Sequence, residues 1–166
     1  MSDLRKINRD EWQDFLDINP SGETPSWKII GVGITDKSTD YNAEKTEEKW
    51  IIERTKRTAI DSYGPSSGVE QTAYKGDEVF EFIDNIRYRM LTGTEAQTHL
   101  LEVDKYSVTN EESTPTYRAR MWDVAIEISS NGGETAKIKY NIDYSGDPTF
   151  GTVTFNKGVP TFSPEN

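Results

Sequence analysis

One run of helical periodicity, in a chain that otherwise reads as strand, limits the architecture more than any other feature. Val79, Phe82, Ile83, Ile86 and Met90 recur at spacings of three and four, which places them on one face of a 3.6-residue repeat. Glu78, Glu81, Asp84, Arg87 and Arg89 fall largely on the other sides. Asp77 stands where an N-cap carboxylate accepts from the unpaired amides of a first turn, beside a favourable dipole end. Arg87 and Arg89 lie where positive charge is favoured, and Gly93 offers a stop. A helix over residues 77–91 is expected, with Val79, Phe82, Ile83 and Ile86 as its core face. Burying such side chains contributes on the order of 1.5–3 kcal/mol each. A lone amphipathic helix has to cover a sheet.

The sheet is legible around it. Trp27 to Ile34 (WKIIGVGI) is strand-like by its aromatic and β-branched content. Its Gly31-Val32-Gly33 lacks the third glycine and following helix of a nucleotide loop, so a bulge or a close backbone approach is expected. Val69 to Tyr74 and Thr98 to Val108 read as strands. The best-specified hairpin follows: Trp122, Val124, Ile126 and Ile128 share one face, and Ala136, Ile138, Tyr140, Ile142 and Tyr144 another. A one-residue slip would put Lys137 and Lys139 among the apolar residues. A three-residue loop, Asn131-Gly132-Gly133, avoids it by pairing Ile126 with Ile138 and Val124 with Tyr140, with Gly133 or Gly132 at positive φ. Ser145 to Pro148 reads as a turn, Thr149 to Phe155 as a last strand, and residues 157–166 as a tail.

Two segments carry apolar residues with no evident cover. In residues 1–26, Trp12, Phe15 and Leu16 cluster on one side of an expected short helix from Arg9 to Ile18, closed by Asn19-Pro20. That triplet packs either on its own domain or on a neighbouring subunit. Residues 35–65 read as a protruding hairpin, with strand-like Lys49 to Glu53, a polar Arg54 to Arg57 connection and strand-like Thr58 to Tyr63. Consecutive Trp50, Ile51 and Ile52 would leave a large apolar side chain unburied in an isolated ribbon, and such ribbons are marginal alone. A partner surface accounts for them.

Composition narrows the function. Hydrophobic residues are 33% and mean hydropathy is -0.77, lean for a self-contained globule of 166 residues, which fits either long solvated loops or segments that order only against neighbouring copies. With 29 acidic against 19 basic residues the net charge is -10, which argues against a protein that grips nucleic acid by neutralising phosphates. There is no cysteine, hence no disulfide framework and no cysteine-based zinc site. The opening MSDLRKINRDEW has no apolar core, and a protein made in the cytoplasm is expected.

No catalytic, metal or cofactor site is expected. Glu111-Glu112 lies in a polar loop. Asp143 and Asp147 flank a turn without the alternating pattern of a Ca²⁺ loop. The sole histidine, His99, has no nucleophile elbow to serve and reads as a structural strand residue.

The segment Glu70-Gln71-Thr72-Ala73-Tyr74-Lys75-Gly76-Asp77, leading into the Val79-Phe80 helix start, resembles the signature of tail tube (major tail) proteins of long-tailed bacteriophages. The similar proteins are those of phages and phage-like particles of Gram-positive hosts. Trp27 to Asp36, Tyr41-Asn42, the Trp50 segment, Ser62-Tyr63-Gly64-Pro65, Tyr144 to Pro148 and Gly151-Thr152-Val153 extend the likeness over most of Trp27 to Phe155. The Thr109 to Thr116 loop has no counterpart in it. The resemblance implies a β-sandwich or barrel-like domain over 27–156 with one flanking helix. It further implies hexameric rings stacked into a virion tail tube, contacts with other tail proteins, and a lumen through which DNA passes unbound. A ring of six copies would carry about -60, and an acidic lumen would repel phosphate rather than hold it. Trp50, Ile51, Ile52, Trp12, Phe15 and Leu16 are the expected subunit contacts. The alternative from another class is a carbohydrate- or cell-surface-binding β-sandwich module, a monomer with exposed aromatics along a groove.

Overall fold

A computed structural model describes residues 4–166. In chain order the strands are β1 (Trp12–Asp17), β2 (Trp27–Ile29), β3 (Glu44–Glu48), β4 (Arg57–Ser62) and β5 (Ser66–Thr72). The helix α1 (Glu78–Arg89) follows, and then β6 (Gln97–Thr109), β7 (Thr116–Gly132), β8 (Lys137–Asn156) and β9 (Val159–Pro164). Short 3-10 turns at Arg9–Glu11 and Gly93–Ala96 precede β1 and β6. The main sheet is antiparallel, in the order β2-β1-β6-β7-β8-β5, and β9 also pairs with β8. One flank of β8 is thus shared: β5 takes Lys137 to Asp143 and β9 takes Gly151 to Asn156. Because β2 and β9 touch, the path β2-β1-β6-β7-β8-β9 curls into a nearly closed barrel. The fold is mainly β with one flanking helix, as expected.

Both faces of this sheet are buried, each over a different half. Leu16, Leu100, Trp122, Val124, Ile126, Tyr140 and Ile142 pack under Val79, Ile83 and Ile86 of α1. Phe15, Trp27, Leu101, Val103, Ala119 and Val153 form the second core, with Tyr117, Phe155 and Phe162 against it. Strand alternation explains the division: Leu100 and Leu101 are neighbours in sequence and face opposite cores.

The same alternation corrects the expected helix at Arg9 to Ile18. Phe15 and Leu16 belong to a strand, opposite Leu101 and Leu100, and each enters a different core. Spacing of 12, 15 and 16 fits a helix, but a strand covered on both sides also buries two consecutive residues. Phe15 and Leu16 are therefore wholly covered by their own chain, at 4% and 0% exposure, and offer no surface to a neighbouring subunit. Residues 12–17 lie inside the sheet rather than in an arm, and the C-terminal stretch supplies β9. Residues 1–3 of the expected arm lie outside the described residues.

The helix holds its expected place. Asp77 accepts from the Phe80 amide at 3.1 Å, and Val79, Ile83 and Ile86 are buried, with Phe82 half-buried against them. Met90 instead leaves the apolar face: it is exposed and closes the helix in the left-handed region (φ 49), so the stop comes before Gly93. Around the cap, Gln71 is fully buried and donates to Asp77 Oδ2 and the Val32 carbonyl, both at 2.9 Å. Tyr140 donates to Gln71 Oε1 at 3.1 Å. Burial first, and then the Asp77 charge, push the Tyr140 phenol up, which keeps it a donor. Glu70, facing out, pairs with Lys137 at 3.0 Å and Lys139 at 3.4 Å.

The β7–β8 register differs from expectation by four residues. Ile126 pairs with Ile142 and Val124 with Tyr144, so apolar still meets apolar. A bulge at Ser129 absorbs one residue and restores the parity that a four-residue turn, Gly133 to Ala136, would otherwise break. Gly132 and Gly133 both take positive φ (139 and 96), as expected. Gly146-Asp147-Pro148 is a second bulge, opposite Trp122, and not a turn, so β8 runs straight on through Phe155. At Gly33 (φ 76) the backbone crosses Thr72 closely enough that a Cβ would overlap the Thr72 carbonyl. Strand β2 accordingly ends at Ile29, short of the expected Ile34.

Candidate assembly surfaces

Exposed apolar side chains occur at several places, and two surfaces, a hairpin and a groove, gather several of them. The first is the hairpin of residues 44–62. Its strands are β3 and β4, exposed along their whole length. Trp50, Ile51 and Ile52 lie in the connection beyond them, not in a strand as the sequence suggested, because Glu48↔Arg57 is the last pair. Ile51 is fully exposed, Ile52 84% and Trp50 48%. The Trp50 indole is held in place: Nε1 donates to Glu48 at 2.9 Å, and the Arg57 guanidinium, itself paired with Glu53, stacks 3.9 Å from the ring centroid. Lys56 pairs with Glu47 at 2.9 Å. The tip is thus an exposed apolar knob, with its indole held in place, on a ribbon whose strands bury nothing.

The second is a groove across β1, β6 and β7. Trp12, Asp104 and Arg118 form one cross-strand row, and Asp14, Glu102, Arg120 and Phe150 the next. Ion pairs run along it: Lys37 with Asp14 at 2.7 Å, Asp104 with Arg118 at 2.6 Å, and Glu102 with Arg120. The Arg120 guanidinium also donates to the Tyr41 hydroxyl at 2.6 Å, tying residues 35–42 over the floor. Tyr144 donates to Glu102 at 3.0 Å, and burial followed by the Glu102 charge pushes its phenol up. The cavity is about 440 Å³ with Trp12 (53% exposed) and Tyr41 in its lining, and both residues are shared with an adjoining hollow of about 400 Å³ that Phe150 also lines. Sequence reading singled out only Trp12. The Glu102-x-Asp104 and Arg118-x-Arg120 spacings were the signal for the ion-pair floor, but only the first lay in a span read as strand.

His99 sits on β6 with Nδ1 3.0 Å from Asp17, whose other oxygen accepts from the Asn19 and Ser26 amides at 2.9 Å. This is a structural clasp on the loop between β1 and β2. Among the described residues no group of three or more His, Cys, Asp or Glu is placed to hold a metal ion. Among the described residues no helix is long and apolar enough to cross a membrane.

No family model matches the sequence, and no curated protein matches it. Solved structures do. A chain from the SPP1 tail tube, determined by solid-state NMR and cryo-EM, superposes with a TM-score of 0.60 at 13% identity, over 87% of this chain and 78% of that one. A chain from the tail of an empty GTA particle, refined helically with C6 symmetry, gives 0.53 at 13% identity, over 87% and 98%. One from the virion of a native gene transfer agent particle gives 0.52 at 12% identity, over 87% and 98%. The nearly closed sheet with its single flanking helix is therefore the fold found in the SPP1 tail tube and in gene transfer agent tails.

Proposed function

We propose that this chain is a structural subunit of a phage or phage-like tail tube. Copies form hexameric rings, rings stack into a hollow tube in the virion tail, and DNA passes through an acidic lumen without being bound. The resemblance at residues 70–80 supports a Gram-positive host, and assembly takes place in the host cytoplasm. The observation that carries the reading is the Trp50-Ile51-Ile52 knob, an exposed apolar surface on a ribbon with no core of its own. A tube subunit is completed by its neighbours, which also accounts for the lean composition. Trp12 is the other contact residue, and no residue has a catalytic role. The net charge of -10 supports the lumen assignment, since like charge keeps phosphate from adhering.

The test is Trp50→Asp with Ile52→Asp. Both positions are exposed, so the monomer keeps its fold, while negative-stain microscopy of concentrated protein shows rings and tubes for the parent and none for the variant. Normal tubes from the variant would overturn the contact assignment. Compact monomers of the parent that bind glycans would favour the carbohydrate-binding alternative, for which the aromatic rim of Trp12, Tyr41 and Phe150 is the relevant feature.

A further inference from the structure

The groove continues past Trp12 along Ile29 and Gly31 to Asp36, a stretch of about 370 Å³. Here Trp12 and Ile29 are exposed apolar side chains, and Asp10 and Asp36 are exposed carboxylates that pair with no cation among the described residues. The nearby cations are engaged elsewhere: Lys37 with Asp14, and Arg9 with the Trp12 and Lys37 carbonyls. The hairpin tip is the converse. Its Lys56 and Arg57 are neutralised by Glu47 and Glu53, and Glu48 accepts from the Trp50 indole, while Lys49 and Arg54, on either side of the apolar knob, are in no ion pair among the described residues. One surface is convex, apolar and flanked by two free cations. The other is concave, apolar-lipped and flanked by two free carboxylates.

We infer that the tip of one copy seats in the Trp12–Ile29 groove of a second copy, with Lys49 and Arg54 against Asp10 and Asp36. This rests on the reading of the tip as a subunit contact and names its receptor. Charge complementarity selects a second copy of this chain over an unrelated partner. The contact is heterologous, since tip and groove are different patches of the molecule, so repetition gives either a closed ring or an open stack. Seating Trp50 and Ile51 against Trp12 and Ile29 removes apolar surface from water on both partners, and the four charges fix the orientation.

The absence of native cysteine makes the pairing directly readable. Ile51→Cys and Ile29→Cys are made as separate single variants, one carrying a mass tag, and circular dichroism verifies that each stays folded. They are mixed at assembly concentration and oxidised with copper phenanthroline. The expected product is a disulfide-linked dimer holding one of each variant, with neither variant alone linking above background. A parent that forms tubes while the mixture gives no mixed dimer overturns the pairing and leaves the tube reading standing. A mixed dimer from a parent that forms no rings or tubes upholds the pairing and removes the tube reading.

Charge reversal supplies the second arm. Lys49→Glu with Arg54→Glu should raise the concentration needed for association by about tenfold or more, and Asp10→Lys with Asp36→Lys in the same chain should restore it. Loss without restoration would place the tip against some other surface and overturn the inference.

Discussion

Removing the Asp77 carboxylate should cost far more than its half-exposed position suggests. Asp77 Oδ2 receives two donors, the Phe80 amide that opens α1 and the side-chain amide of buried Gln71. Asp77→Ala deletes the cap, worth about 1 kcal/mol. It also strands one N–H of Gln71 in a site with no exposure, a further loss of about 1–3 kcal/mol. The sum, about 2–4 kcal/mol, corresponds to a melting temperature lower by about 4–16 °C for a domain of this size. Asp77→Asn keeps an acceptor oxygen in place and gives up chiefly the charge–dipole part, about 0.3–1 kcal/mol. Both are measured by urea unfolding on the Trp50→Asp, Ile52→Asp background, which keeps association out of the stability. Tyr140→Phe removes the donor to Gln71 Oε1, so its effect should couple to that of Asp77→Ala by about 0.5–3 kcal/mol in a double-mutant cycle. Equal losses for Asp77→Ala and Asp77→Asn, or strict additivity with Tyr140→Phe, would refute the idea of one network acting through Gln71.

Other expectations are simpler. Ile83→Ala, between the helix and the sheet, should lose about 2–5 kcal/mol in the same unfolding assay, against under about 0.5 kcal/mol for Ile51→Ala at the tip. Gly33→Ala combines a left-handed φ with overlap against the Thr72 carbonyl, and calorimetry should show a loss exceeding the about 1–2 kcal/mol of the conformation alone. The Glu11 carboxyl is held down to about 2, first by hydrogen bonding from Arg5 and then from the Asn8 amide. Its folded pKa lies below the unfolded value, so its contribution is present above the ordinary carboxylate range and fades as pH falls toward 2. NMR titration should find Glu11 protonating near that pH, and Arg5→Ala should return it toward 4.5.

The parts of this fold that sequence revealed are those where one periodicity has one meaning. Helix α1 declared itself because five apolar residues at three and four, an Asp before them and arginines after them agree with each other. The facing residues of β7 and β8 were equally plain, because alternation fixes which side is apolar. It does not fix register: any shift by an even number keeps the same faces, and the Ser129 bulge that selects the observed one has no residue signature. Strand β1 was misread because Phe15 and Leu16 enter opposite cores, a pattern that alternation rules count against a strand. For the assembly surfaces, the isolated Trp50-Ile51-Ile52 run was visible as three consecutive apolar residues in a polar stretch, although it was read as strand. The groove was not, since Tyr41, Phe150, Ile29 and Asp36 come together only when the sheet curls.

Strand β8 has a consequence for how the molecule comes apart. Its first half lies beneath the helix and its second half lines the curl, so Ile142 and Val153 anchor opposite cores from a single uninterrupted strand. Neither half can open without pulling on the backbone that secures the other. Unfolding should therefore proceed as one event rather than two, with the amides around Ile142 and Val153, on either side of the exposed Gly146-Asp147-Pro148 bulge, the last to exchange their protons for deuterium.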